Sequence, residues 1–175
     1  MYKCVKPIQL LTLFFIFFGI TFIAQADEQK NARQLIKVPA EGKYRVVYDI
    51  RSGDISAGVN NGLYYIRGLL EAFAKQNVNP EQLDIHLVMH SGATKSLLID
   101  ETFQTASDDP FAVNLNADIV ENLISRGVSV EICNRAMKSK GWTEKDILPN
   151  VMIVHDGYTR LIKLQNDGYA YVGGF

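Results

Sequence analysis

Cys133 is the residue of this sequence best placed to do chemistry. It closes the apolar run Val128-Ser129-Val130-Glu131-Ile132 and opens the helix-prone stretch Asn134-Arg135-Ala136-Met137. A thiol at a strand-to-helix junction faces the positive end of the helix dipole and N–H groups that have no intrahelical acceptor. Both favour the thiolate, the nucleophilic form of cysteine. Asn134 and the neighbouring N–H groups are placed to stabilise the anion, and Arg135 adds positive charge close in sequence. The same position also suits a small buried hydrophobe, a common fate of free cysteine.

Three further residues finish strand-like runs. Asp49 ends Tyr44-Arg45-Val46-Val47-Tyr48-Asp49, His90 ends the run from Leu83, and His155 ends Val151-Met152-Ile153-Val154-His155. Ligands of open parallel sheets bind outside the carboxyl ends of the strands, so Asp49, His90, Cys133 and His155 share one expected rim. His90 or His155 could move protons there, given hydrogen-bond reach. His86 falls inside its strand and reads as a packed or satisfied histidine.

Helices are expected between these strands. Residues 60–76 carry Leu63, Ile66, Leu70, Phe73 and Ala74 at helical spacing, and residues 116–126 carry Ile119, Val120, Leu123 and Ile124. Asn116 reads as an N-cap and Gly127 as a stop. A short helix over 134–140 ends at Gly141, Thr143-Glu144-Lys145-Asp146 has capping-box form, and a helix over 157–167 stops at Gly168. Tyr169-Ala170-Tyr171-Val172 is a last strand, suited to an edge, and its tyrosines suit packing or a subunit contact. Strands separated by helices imply parallel pairing with right-handed crossovers. The expected fold is α/β: a three-layer αβα sandwich with a mainly parallel sheet of about five strands. Residues 91–115 form one long connection, with a helical turn at 94–99 and an irregular polar stretch at 100–110.

The chain begins like a secretory signal. Lys3 and Lys6 precede an apolar run over 8–23, and Ala24-Gln25-Ala26 supplies a small-x-small cleavage motif. Cleavage after Ala26 makes the protein periplasmic or secreted, with no stable membrane insertion; an uncleaved anchor is the other reading of that run. The expected organisation is a signal at 1–26, a flexible arm at 27–42 and one domain at 43–175. Losing Lys3 and Lys6 from 18 basic residues leaves 16 against 19 acidic, a net charge near −3. That balance offers no basic stripe for nucleic acid. Cys4 would leave with the signal, so Cys133 has no partner for a disulfide within the chain.

Other motifs are incomplete. There is no C-x-x-C. Ser91-Gly92-Ala93-Thr94-Lys95-Ser96 lacks the glycine before lysine that a phosphate loop requires. Residues 53–58 fit a plain turn or an anion contact, and Ser52, Ser91 and His155 form no recognisable nucleophile elbow.

Four stretches together resemble the DsrE/DsrF-like family of sulfur-relay proteins, over nearly the whole chain from Tyr44. They are Leu87-Val88-Met89-His90-Ser91-Gly92-Ala93; Leu123-Ile124-Ser125-Arg126-Gly127 running into the strand that ends at Cys133-Asn134; Cys133 with Ala136 and Gly141; and Val154-His155-Asp156-Gly157-Tyr158 running to Leu164-Gln165-Asn166-Asp167-Gly168-Tyr169-Ala170-Tyr171. The resemblance implies a flavodoxin-like fold, frequent homo-oligomers and, in the relay branch, a persulfide-carrying cysteine at the position of Cys133. No cofactor is expected. The partners would be a sulfur donor or acceptor protein, or a small thiol or polysulfide. Export departs from the relay members, whose acceptors are cytoplasmic. Three functions therefore stand: an exported sulfur carrier or sulfurtransferase-like protein, a non-catalytic small-ligand or assembly module, and a metal site built from Cys133, His90 and His155.

Overall fold

The computed structural model describes residues 33–174. The expected signal at 1–26 and the first part of the expected arm lie outside the described residues. Among the described residues no helix is long and apolar enough to cross a membrane. Residues 33–37 form no regular element. Residues 38–42 are tied down locally: the Val38 N–H donates to Gln76 Oε1 at 2.8 Å, and Gln82 Nε2 donates to the carbonyls of Ala40 and Gly42.

Seven strands and five helices follow: β1 Tyr44–Ile50, β2 Ile55–Ser56, β3 Val59–Asn60, α1 Asn61–Ala74, β4 Leu83–Met89, α2 Asp100–Ser107, α3 Ala117–Ser125, β5 Ser129–Cys133, α4 Asn134–Lys140, β6 Met152–Val154, α5 Gly157–Asn166 and β7 Ala170–Gly173. The main sheet has the order β6-β5-β4-β1-β7, and all its pairings are parallel. From β1 to β6 the chain always steps toward the same edge. Right-handed crossovers in one direction put their helices on one face. Only the step from β6 to β7 runs back across the sheet, so α5 alone covers the other face.

The two faces differ accordingly. Along β1, Val46, Tyr48 and Ile50 join Leu63, Ile66 and Leu70 of α1 and Val120 and Leu123 of α3 in the large core. The alternate residue Val47 joins Val88 and α5 residues Leu161 and Leu164 in a small one. This is the period-two alternation of a strand buried on both sides. The second face also carries Asp49, His86, Glu131 and Tyr171, because α5 is too narrow to keep it apolar. The reversal places β1 between β4 and β7, and the switch point of the sheet lies there.

One sequence expectation changes. The stretch 100–110 is not irregular, since residues 100–107 form α2. Its first turn holds Asp100 and Glu101, which complement the helix dipole. Phe103 is its one apolar contact with the core, so it carries no periodic stripe for sequence reading to find. Residues 53–58 hold the expected turn: β2 and β3 pair antiparallel through Ala57 and Gly58, both at positive φ.

Asn116 occupies the N-cap position of α3, as expected, but its side chain makes no capping hydrogen bond there. It is fully buried, its Oδ1 accepts the Asn60 N–H at 2.7 Å, and its Nδ2 donates to Asn114 Oδ1 at 2.9 Å. Asn116→Ala leaves the buried Asn60 N–H without its acceptor. Urea unfolding should show a loss of about 1–3 kcal/mol with an unchanged m-value.

Candidate active site

The carboxyl ends of β1, β4 and β5 meet the first turn of α5. Asp156 caps that helix, with Oδ1 accepting the Thr159 N–H at 3.0 Å. The next N–H, that of Gly157, donates to Cys133 Sγ at 3.2 Å. The sulfur therefore lies against the start of α5 as well as at the junction of β5 and α4. A side chain at Gly157 would put its Cβ 3.2 Å from His90 Cβ. Glycine is thus what lets the helix approach both residues.

Cys133 itself is buried, with 5% of its surface exposed. Asn134 is half-buried. Arg135 is exposed and its Nη1 lies 3.9 Å from Asp156 Oδ2, so its nearest charge is the cap carboxylate.

His90 is the most constrained of the rim residues. Its Nε2 lies 2.8 Å from Asp49 Oδ1 and its Nδ1 lies 3.1 Å from Ser91 Oγ. The Tyr158 ring stands edge-on to it at 4.9 Å. Asp49 Oδ2 accepts the Tyr171 hydroxyl at 2.6 Å, and Arg51 Nε lies 3.8 Å away. That hydrogen bond raises the pKa of the Tyr171 phenol, with burial and the carboxylate charge acting in the same direction. The structure thus joins Asp49 and His90, and both His90 and Cys133 touch Gly157. His155 is exposed and stands apart from them. Cys133, His90 and His155 do not form a metal centre; among the described residues no three His, Cys, Asp or Glu side chains gather as one.

Two clefts flank this arrangement. The first, about 670 Å³, opens at the carboxyl ends of β1, β4 and β7 beside Arg51, Ser91 and Tyr158. The second, about 560 Å³, lies between β6 and α5 and is bordered by His86, His155, Arg160 and Lys163. Cys133 borders neither.

Under the second cleft sits a buried acid. Glu131 is 1% exposed and accepts Arg160 Nε and Nη2 at 2.7 and 2.8 Å. His86 Nδ1 lies 2.5 Å from the same carboxylate, and Ser129 Oγ donates to it at 3.1 Å. Burial alone would raise the Glu131 pKa. The hydrogen bonds and charges of Arg160 and His86 outweigh it and bring the value down to about 2.

The DsrE/DsrF-like family model matches residues 59–173. The chain belongs to the DsrE/DsrF-like family. No curated protein matches it. Among solved structures it is similar to a protein of unknown function, MTH1491, from Methanobacterium thermoautotrophicum, at 24% identity and a TM-score of 0.58, covering 75% of this chain and 99% of that one. It is also similar to the ychN protein from E. coli, at 17% identity and a TM-score of 0.53, with the same coverage. At these identities the two structures show a shared fold. DsrE/DsrF-like proteins are generally tied to sulfur relay, and the parallel five-stranded sheet is theirs.

Sequence reasoning missed three contributors to this region of the molecule. Gly157 was legible only as the start of a helix. Tyr171 looked like packing, yet it holds Asp49. Glu131 looked like one residue of a strand, although an acid amid Val130 and Ile132 is itself a signal of a buried partner.

Two outcomes follow. The folded-state pKa of Glu131 lies below its ordinary value of 4.5, so its stabilisation is present above that value and is lost as pH falls toward about 2. Chemical unfolding across that window should show a loss of up to about 3 kcal/mol, and Glu131→Gln should flatten the slope while weakening the protein at neutral pH. Gly157→Ala should cost about 1–3 kcal/mol in the same assay, because the new Cβ presses on His90.

Proposed function

We propose that this protein is an exported sulfur carrier in which Cys133 holds sulfur as a persulfide. The contact that carries the reading is the Gly157 N–H on Cys133 Sγ. A backbone N–H fixed at the start of a ten-residue helix is a ready partner for negative charge on sulfur. Cys133, as thiolate, attacks the sulfane sulfur of thiosulfate. The new S–S bond forms as the bond to sulfite breaks, and sulfite leaves with the electron pair. The Cys133 persulfide then passes its outer sulfur to an acceptor thiolate and returns to the thiolate. No net oxidant is consumed, and a polysulfide donor reacts the same way with a shorter polysulfide as leaving group.

The N-terminal apolar segment with Ala24-Gln25-Ala26 supports delivery to the periplasm or the exterior. The donor and acceptor are then proteins or small sulfur compounds of that compartment. A homo-oligomer is the working assembly, since short edge strands such as β6 leave Met152 60% exposed. A second reading, a non-catalytic ligand-binding module, draws on the burial of Cys133, which lines neither cleft.

The two separate in one measurement. Mature protein incubated anaerobically with thiosulfate or polysulfide should gain the mass of one sulfur atom. Dithiothreitol should remove it, and Cys133→Ser should abolish it. A folded protein that takes up no sulfur, while its thiol alkylates normally once unfolded, would sink the carrier and leave the binding module.

A further inference from the structure

We infer that Asp49, His90 and Ser91 form a proton relay that makes Ser91 a nucleophile toward small carboxylic esters held in the first cleft. This centre is separate from the sulfur reading. Both ring nitrogens of His90 are engaged by Asp49 and Ser91, so its proton chemistry is directed at the hydroxyl and not at Cys133.

The hydrogen-bond directions follow from the partners. A carboxylate only accepts, so the contact at 2.8 Å places the imidazole proton on Nε2. The neutral ring then has its lone pair on Nδ1, where the Ser91 hydroxyl donates at 3.1 Å. Asp49 is the positioning residue, with its side chain 6% exposed and its second oxygen held by Tyr171. Gly157 and Tyr158 pack on the ring and keep it in place. The arrangement matches the roles of a serine–histidine–aspartate triad, with the two imidazole nitrogens exchanged.

Ser91 is held in a conformation that favours reaction. Its φ is +54°, in the left-handed region that costs a non-glycine residue about 1 kcal/mol or more. Its neighbours enforce it. The His90 N–H donates to the Ile50 carbonyl and the Ala93 N–H to that of Arg51, both at 3.1 Å, and Thr94 Oγ1 donates to the Ser91 carbonyl at 2.8 Å. Gly53 and Gly92 let the turns after β1 and β4 touch, since a Cβ on either would come within 3.1 Å of the other's backbone. Ser91 is exposed at the wall of the 670 Å³ cleft. The cleft stands at the switch point of the sheet, where α/β folds bind ligands.

The lining indicates the substrate. Tyr65 and Tyr158, each about half-exposed, offer flat walls for the apolar part of a small ester. Arg51 is the cation of the wall and takes the charge that develops on the carbonyl oxygen. Ser91 Oγ bonds to the carbonyl carbon as its proton passes to His90 Nδ1. The bond to the leaving alcohol then breaks, and the alcohol takes that proton. Water, deprotonated by the same nitrogen, releases the acid and restores Ser91.

The test uses p-nitrophenyl acetate for turnover and an alkyl fluorophosphonate for labelling, with the modified residue mapped by peptide mass. The wild type should release p-nitrophenol and carry one phosphonyl group on Ser91, formed as fluoride leaves. Ser91→Ala should lose both, whereas the remote exposed Ser139→Ala should keep both. His90→Gln should slow labelling by about 100-fold or more if it folds by circular dichroism. Asp49→Asn should slow labelling while leaving the mapped site unchanged. If His90→Gln does not fold, the comparison of wild type with Ser91→Ala decides. An unlabelled Ser91 after exhaustive incubation, or equal rates in a folded His90→Gln, would overturn the relay.

Discussion

The site depends on a residue without a side chain. Gly157 presents its N–H to Cys133 on one side and its bare Cα to His90 on the other. Any Cβ there would press on the imidazole, and the first turn of α5 would have to withdraw from both. The approach of that turn is therefore fixed by the smallest residue in the region, and the cap at Asp156 fixes its direction. Sulfur and imidazole share one support but not one hydrogen-bond network.

Topology explains why polar groups collect on that side. Four strands step in one direction and send α1 to α4 to one face, which becomes a large apolar core. The returning step sends only α5 to the other. One helix cannot bury five strands, so the remainder of that face carries charged and hydroxylic side chains. Glu131 is the deepest of them, and Arg160 from α5 reaches down to it. The helix is thereby held by an ion pair to a buried acid as well as by Leu161 and Leu164. Replacing such a pair outright can be neutral, but removing one partner strands a charge.

Much of this could be read from residue order. The alternation of strand and helix signals, the stops at Gly127, Gly141 and Gly168, and the capping box at Thr143 all appear where local chemistry demands them. The strand-end rule brought Asp49 and His90 to a common rim, and they touch there. What stayed hidden depends on contacts far apart in sequence. The pairing of β1 with β7 carries Tyr171 to Asp49, and nothing local to either residue announces it. Arg135 is close to Cys133 in sequence, yet its side chain turns to Asp156. The elbow motif is a local pattern and does not capture Ser91, whose strain is set by carbonyls at and just after the end of β1.

The central place of β1 has a kinetic side. It pairs with β4 and also with β7, so Val46 must find Ala170 from almost the opposite end of the described residues. Contacts of such separation form late, and parallel sheets cannot shorten them with a hairpin. Until β7 docks, one edge of β1 keeps its amides and carbonyls unpaired. An identical segment from another copy can occupy that vacancy, so the half-assembled chain is open to strand exchange and aggregation.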